Sequence, residues 1–254
     1  MNKQNKLNEL QRVKVIGVPI SIVNLEAVTN YIVNNIDCIK GEYICASNVH
    51  TTVMAYENKD YYKVQSESIF SLPDGKPLSI IGRLKGYKDM DKTTGTHFMQ
   101  EMFTNEKLSE KKHYFYGSTK ENIEKMIKKL KKDYPNLNIV GYEPSIFREL
   151  NDIEVDELIR RINSSKADFV WIGIGAPRQE ILMNKLKGKT NSVMTGVGGA
   201  FNILSGEVSD APKWMQKMCL EWFYRFIKEP KRLFKRYLIT NSKFIIYLIK
   251  ERGK

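Results

Sequence analysis

The stretch from Asp168 to Gly199 constrains this chain more than any other part of it. Asp168 to Gly173 reads as a buried strand, Gly173-Ile174-Gly175 as a tight turn, the following residues as a helix, and Ser192 to Gly199 as a second strand with its own glycine turn. Apolar runs without alternation suit parallel strands covered on both faces. Glycine at their carboxyl ends leaves bare backbone at the rim where open α/β sheets bind ligands. Two such turns from neighbouring strands, with a helix amino terminus behind them, suit a phosphate or diphosphate. Arg178 stands where a dinucleotide fingerprint needs its third glycine, and Phe201 follows Gly196-Val197-Gly198, so neither turn completes the GxGxxG pattern. Tight strand-to-helix geometry accounts for an isolated glycine turn equally well.

The remaining chain repeats the strand-then-helix order. An edge strand is expected over Val13 to Ile20, and a helix capped by Asn24 through Leu25, Val28, Ile32 and Ile36. Tyr43 to Ala46 follows as a strand, then one helix through Val53, Tyr56 and Tyr61, and a short strand over Ile69 to Leu72. Helices are expected over Ile80 to Tyr87 and from Gly95. Tyr114 to Tyr116 is a strand, and Ser118 with Glu121 forms a capping box before Ile123, Met126, Ile127 and Leu130. Leu137 to Val140 and Val155 to Ile162 give the next strand and helix. This order predicts a Rossmann-like α/β fold, a mostly parallel sheet with helices on both faces.

Two segments are expected: an α/β domain over residues 1–207 and a helical appendage over 208–254. The net charge is +12, and residues 211–254 hold twelve Lys or Arg against three Glu, a net of +9. Aromatic residues crowd around Trp214, Trp222, Phe223, Tyr224 and Phe226, and Pro230 breaks the helix. Beyond it, Leu233, Phe234, Tyr237, Phe244, Ile245 and Leu248 form a stripe beside Lys231, Arg232, Lys235 and Arg236. An aromatic stripe flanked by cations is a membrane-interface pattern, in which Arg225, Arg232 and Arg236 can meet lipid phosphates. A basic patch also suits nucleic acid, but no DNA- or RNA-binding module surrounds this one, so no nucleic-acid partner is expected. The amino terminus is polar without a signal core, and the longest apolar run near the carboxyl end, Phe244 to Ile249, is too short to span a bilayer. Cys38, Cys45 and Cys219 show neither metal spacing nor an even disulfide set and suit reduced thiols in the cytoplasm. His50, His97 and His113 form no ligand set, so no metal is assigned. His113 is expected to be structural, and His97 to lie near a basic loop where it can touch a ligand.

Several residues could carry chemistry. Asp74, in the turn Pro73-Asp74-Gly75, could project from a strand end as a general base or merely shape the turn. Arg178 and Gln179 occupy a helix's first turn and could bind a diphosphate or a base edge. Asn48, at another strand end, could orient a sugar or cap a helix.

In chain order, Ser47-Asn48, Leu72-Pro73-Asp74-Gly75, Gly95-Thr96, Gly173 through Glu180, Gly196 through Phe201, Leu220 through Arg225 and Glu229 through Arg232 together resemble the WecG/TagA/CpsF glycosyltransferases, over residues 13–237. The resemblance implies an inverting transferase that needs neither metal nor other cofactor. Its implied reaction moves N-acetylmannosamine or a related sugar from a UDP donor to undecaprenyl-diphosphate-linked N-acetylglucosamine, in teichoic-acid-like surface polymer synthesis. A different UDP sugar, such as a uronic acid or glucose, serving capsular or exopolysaccharide synthesis is the alternative within the family. Asp74 matches the proposed general base, and Asn48 and Gln179 match active-site positions. Gly173, Gly175, Arg178, Gly196, Gly198 and Gly199, with Lys92 and His97, would hold the donor. Arg225, Arg232 and Arg236 would meet the leaving or lipid diphosphate as the appendage closes over the pocket at the membrane. The resemblance further implies a homo-oligomer, cytoplasmic and peripheral on the inner face of the cell membrane. Lys92, His97, Asn202 and Asp210 depart from the family's usual arginine, aspartate, aspartate and basic residue. Outside the family, the rivals are a non-catalytic nucleotide or nucleic-acid binding module and a dinucleotide-dependent enzyme, the latter disfavoured by the missing third glycine.

Overall fold

The computed structural model describes residues 10–108, 110–146, 148–212, 214–215, 218, 220–228 and 230–252. The stretch Val13 to Ile20, expected as a short edge strand that turns, makes an antiparallel hairpin of β1 (Arg12–Val15) and β2 (Val18–Ser21). Ile16 and Gly17 both take positive φ, 47° and 79°, and a two-residue turn of that kind folds the chain back on itself. The hairpin is a sheet of its own.

The main sheet contains β3 (Tyr43–Ser47), β4 (Phe70–Pro73), β5 (Lys112–Gly117), β6 (Asn138–Glu143), β7 (Phe169–Gly173) and β8 (Val193–Gly196). All neighbours are parallel, in the spatial order β4-β3-β8-β7-β5-β6. One face presents Ile44, Phe70, Leu72, Phe115, Phe169, Trp171 and Val193, buried under helices that include α1 (Leu25–Asn35). Tyr43, Cys45, Tyr114, Tyr116, Val170, Ile172 and Met194 form the other. Burial on both faces explains why these strands read as continuous apolar runs rather than as alternation. His113 lies in the first face, stacked on Phe169, and its Nδ1 accepts a hydrogen bond from Trp171 Nε1 at 3.0 Å. Burial lowers its pKa to about 3, so it stays neutral and structural.

The single helix expected from Val53 to Tyr61 is two: α2 (Val49–Glu57) and α3 (Lys59–Ser66). Asn58 divides them, because its side chain accepts the Tyr61 amide at 2.9 Å and so starts a new helix. Next come α4 (Lys76–Leu84), α5 (Gly95–Thr104) and α6 (Lys120–Asp133). The cap of α6 is Thr119 rather than Ser118: Gly117 and Ser118 take φ of 135° and 62°, a turn that delays the helix by one residue. The remaining helices are α7 (Asp152–Ser165), α8 (Arg178–Leu186), α9 (Ala200–Leu204), α10 (Glu221–Lys228) and α11 (Pro230–Arg252). Helices α5, α6 and α9 lie on the first face with α1, and α7 and α8 on the second.

A third cluster joins the hairpin to α2, α3, α4 and α11 through Val15, Ile20, Val53, Leu78 and Phe244. The stripe expected to face lipid along α11 is therefore split. Phe244 is buried and Leu248 packs beside it, whereas Leu238, Ile239, Ile245, Ile246 and Ile249 are exposed. Glu57 of α2 accepts hydrogen bonds from Lys243 (2.8 Å) and the Tyr247 hydroxyl (2.6 Å). Glu251 accepts the Ile16 amide and pairs with Lys85, each at 2.9 Å.

Candidate active site

Four adjacent strands, β4, β3, β8 and β7, deliver their carboxyl ends to one rim. Ser47 lies opposite Pro73, and Gly196 lies opposite both Cys45 and Ile172. The residues that follow are Asn48, Asp74, Val197 and Ile174, spread over three strand spacings of about 5 Å each. The Asp74 amide donates to Ser47 O (2.7 Å) and Leu72 O (2.8 Å), tying its turn to β3, and the Thr93 amide donates to Pro73 O at 2.9 Å. Asp74 is half-buried.

From Thr93 the chain enters α5, where Thr94 caps the helix by accepting the His97 amide at 3.2 Å. This helix start is pressed against the end of β8: a Cβ on Gly95 would lie 3.3 Å from Val197 Cα. The loop carrying half-buried Lys92, and the first turn of α5 carrying half-buried His97, thus bridge the Asp74 turn and the second glycine turn. Ion pairs brace its base, since Asp91 holds Lys76 (3.0 Å) and Arg83 (3.5 Å) and accepts the Lys92 amide (2.7 Å). These contacts, together with the amide of Lys92, hold the Asp91 carboxyl below its ordinary range despite partial burial.

The two glycine turns are joined by one side chain. Gln179 Oε1 accepts the amides of Gly175 (3.2 Å) and Gly198 (3.0 Å), and Gln179 is 4 % exposed. Two amides expected to face a diphosphate are thus occupied by a protein oxygen. The glycines divide by role: a Cβ on Gly173 would lie 2.6 Å from the Phe201 ring, and one on Gly196 would lie 2.7 Å from Met183 Cε. Those two permit close packing, whereas Gly175 and Gly198 take φ of 81° and 50° to make the turns. Gly175 and Gly199, the latter at the start of α9, have open space over their Cα, and of the two only Gly199 has an ordinary negative φ.

Asn48 caps α2, its Oδ1 accepting the amides of His50 (3.0 Å) and Thr51 (3.2 Å), so its oxygen is committed to the helix and only its Nδ2 is left for other chemistry. Arg178 lines a shallow recess with Tyr116, Arg148, Ile174 and Lys185, where the first glycine turn meets the α7–α8 face. Asn202 takes a hydrogen bond from Asn122 at 3.3 Å, and Asp210 accepts the Ala211 amide at 2.9 Å. The side chains of Arg225 and Arg232, and that of Arg236, lie outside the described residues, as does all of Cys219, although α10 and α11 are placed.

Sequence reasoning missed the bracing residues Thr94, Lys76 and Asp91, whose roles depend on a loop closing against another strand. It also missed Glu180, fully buried behind Gln179. The available signal was its place three residues before Met183 on the apolar side of α8.

Around this rim start α2, α4, α5 and α8, whose amino-terminal dipoles favour anions, with Lys92 and Lys76 alongside. A carboxylate at residue 74 beside such a rim is placed to accept a proton while negative charge accumulates on a departing group. Among the described residues no group of three or more His, Cys, Asp or Glu could hold a metal ion, and no helix is long and apolar enough to cross a membrane.

A family model described as "Glycosyl transferase WecG/TagA/CpsF family" matches residues 13–254. An N-acetylglucosaminyldiphosphoundecaprenol N-acetyl-beta-D-mannosaminyltransferase from Bacillus subtilis (strain 168) is 29 % identical over 244 residues, 95 % of this chain and 93 % of the relative. Proteins of the same name from Bacillus spizizenii and Staphylococcus aureus (strain MW2) are 28 % and 24 % identical, covering 85 % and 75 % of this chain and 81 % and 74 % of their own lengths.

Proposed function

The chain belongs to the WecG/TagA/CpsF glycosyltransferase family, and from that premise we propose that it transfers N-acetylmannosamine from a UDP donor to undecaprenyl-diphosphate-linked N-acetylglucosamine, with inversion, in cell-wall polymer synthesis. The observation that carries this reading is the Asp74 turn, hydrogen-bonded to β3 and bridged by Thr93 to Lys92, His97 and the second glycine turn. In this reading Asp74 takes the proton from the acceptor hydroxyl as its oxygen attacks the anomeric carbon from the face opposite UDP. The bond to UDP breaks, and the departing diphosphate is neutralised by helix amino termini, Lys92 and the cations of residues 211–254, with no metal required. Asn48 Nδ2 orients the sugar or the acceptor. Gln179 works indirectly, by holding the turns that carry the donor.

The lipid acceptor places the reaction at the inner face of the cell membrane, which suits a basic carboxyl-terminal segment with exposed Trp214, Met218, Phe223 and Ile227. Self-association of the chain belongs to the same proposal.

The test is UDP release from a panel of UDP sugars in the presence of a soluble lipid-diphosphate-N-acetylglucosamine analogue. Asp74→Asn is expected to lower turnover about a thousandfold, as loss of a general base does, while UDP affinity stays within about threefold of wild type. Turnover surviving in that variant removes Asp74 as the base. Binding to anionic but not neutral vesicles, with no DNA binding at physiological salt, is expected for the full chain.

A further inference from the structure

Behind the two glycine turns lies a buried polar group that the proposed reaction does not use. Glu180 is fully buried, and its Oε1 accepts the Nε2 hydrogen of Gln179 at 2.7 Å. A carboxamide is two-sided, with one end donating and the other accepting. If its orientation reversed, an NH2 group would face the amides of Gly175 and Gly198, donor against donor. The carboxylate prevents this because it can only accept, so the nitrogen must turn toward Glu180 and the oxygen toward the turns.

We propose that Glu180 is a positioning residue for donor binding, which through the orientation of Gln179 sets the spacing of the Gly175 and Gly198 turns. The inference rests on the donor-binding role proposed above for this rim. The other carboxylate oxygen, Oε2, is buried and faces the buried Tyr61 hydroxyl of α3. The titratable groups facing Glu180 are Tyr61 from α3 and Cys45 from β3, with Arg12 of β1 beyond Cys45. Neither Tyr61 nor Cys45 supplies positive charge, and burial raises the Glu180 carboxyl to about 7. A purely structural core position would be better served by an apolar side chain of the same shape, since burying an acid without a cation beside it costs stability. The ionised form makes the stronger bond to Gln179 Nε2. The turns are therefore held most firmly above neutral pH.

Two variants and two readouts test this. Glu180→Leu removes the acceptor, and Glu180→Gln keeps an acceptor oxygen but allows either orientation and cannot titrate. Amide hydrogen exchange needs no substrate: in Glu180→Leu, exchange at Gly175 and Gly198 is expected to quicken about tenfold, with Glu180→Gln between it and wild type. For whichever UDP sugar the wild type uses, the donor KM is expected to rise about tenfold in Glu180→Leu while kcat stays within about threefold. Wild-type donor KM should rise as pH falls through about 7, and this dependence should vanish in Glu180→Gln. The diphosphate of a sugar nucleotide has no ionisation of its own in that range, unlike free UDP. Unchanged exchange at the two glycines overturns the proposal, as does quickened exchange with an unchanged donor KM. If Glu180→Leu does not fold, a pH dependence persisting in Glu180→Gln overturns it instead. A wild type that turns over no UDP sugar defeats the donor reading, and the exchange measurement still decides whether Glu180 sets the turns.

Discussion

The rim of the sheet and the carboxyl-terminal helix are organised by opposite rules. At the rim, groups are fixed through one another: Asp74 through Ser47, the 91–97 loop through Pro73 and Val197, and both glycine turns through Gln179 and Glu180. Along α11 from residue 237 onward, the described side chains divide by the face they occupy. Phe244 is 5 % exposed, and its neighbour Ile245 is 57 % exposed. The difference teaches where substitutions should be local in their effect and where they should spread. A rim built from shared hydrogen bonds gives precise geometry at the expense of tolerance. A helix docked by one face leaves its other face open to a second surface.

The sharpest contrast within α11 should be the largest effect. Phe244→Ala is expected to lower unfolding free energy by about 3 kcal/mol, since it empties the junction of hairpin, α2 and α11. Ile245→Ser should change stability by no more than about 0.5 kcal/mol and instead weaken binding to anionic vesicles. Equal losses of stability in denaturant titrations would break the two-faced description of this helix.

The two regions also carry opposite pH signs. Glu180 at the rim has a folded-state pKa raised from 4.5 to about 7, so its contribution is fully present below pH 4.5 and is lost as pH rises toward 7. Relative to Glu180→Gln, the wild type should lose about 3 kcal/mol of stability across that interval. Glu57 at the α11 clasp is shifted the other way, lowered by its hydrogen bonds to Lys243 and the Tyr247 hydroxyl. Its contribution is present above 4.5 and is lost as pH falls through its lowered value. Measuring both variants, Glu180→Gln and Glu57→Gln, against wild type from pH 4 to pH 8 should give difference curves of opposite slope. Slopes of one sign would show that the regions are not distinguished by how they bury charge.

The same division explains what could be read from the residues alone. Parallel strands buried on both faces, such as Phe169–Gly173 and Tyr43–Ser47, announce themselves as unbroken apolar runs, and Asn24 announces its helix by a cap three residues before the Ala27 amide it binds. The rim position of Asp74 followed from a strand ending in a turn. What stayed hidden depended on contacts far apart in sequence. Nothing local distinguishes Thr93 as the residue that reaches Pro73, or Gln179 as the side chain that fills the amides of a turn nineteen residues later. The Asn58 break and the Thr119 cap were missed for another reason: one side-chain hydrogen bond decided each boundary against a continuing helical pattern.

The glycines of the rim give the finest test, because similar residues in similar turns are predicted to differ in degree. Gly173→Ala drives a methyl into the buried Phe201 ring, which cannot retreat within a packed core, and should cost about 2 kcal/mol. At Gly196 the obstacle is the flexible end of Met183, with the Gln179 carboxamide at 3.0 Å, so alanine there should cost about 1 kcal/mol. Gly199→Ala meets nothing within 4 Å and has φ of −68°, so stability should stay within about 0.5 kcal/mol of wild type. That neutrality makes it informative, since any rise in donor KM must then come from a methyl group meeting the ligand itself. An unchanged KM would place the donor away from the start of α9, and would leave the rim's anion-binding capacity to α2, α4 and α5.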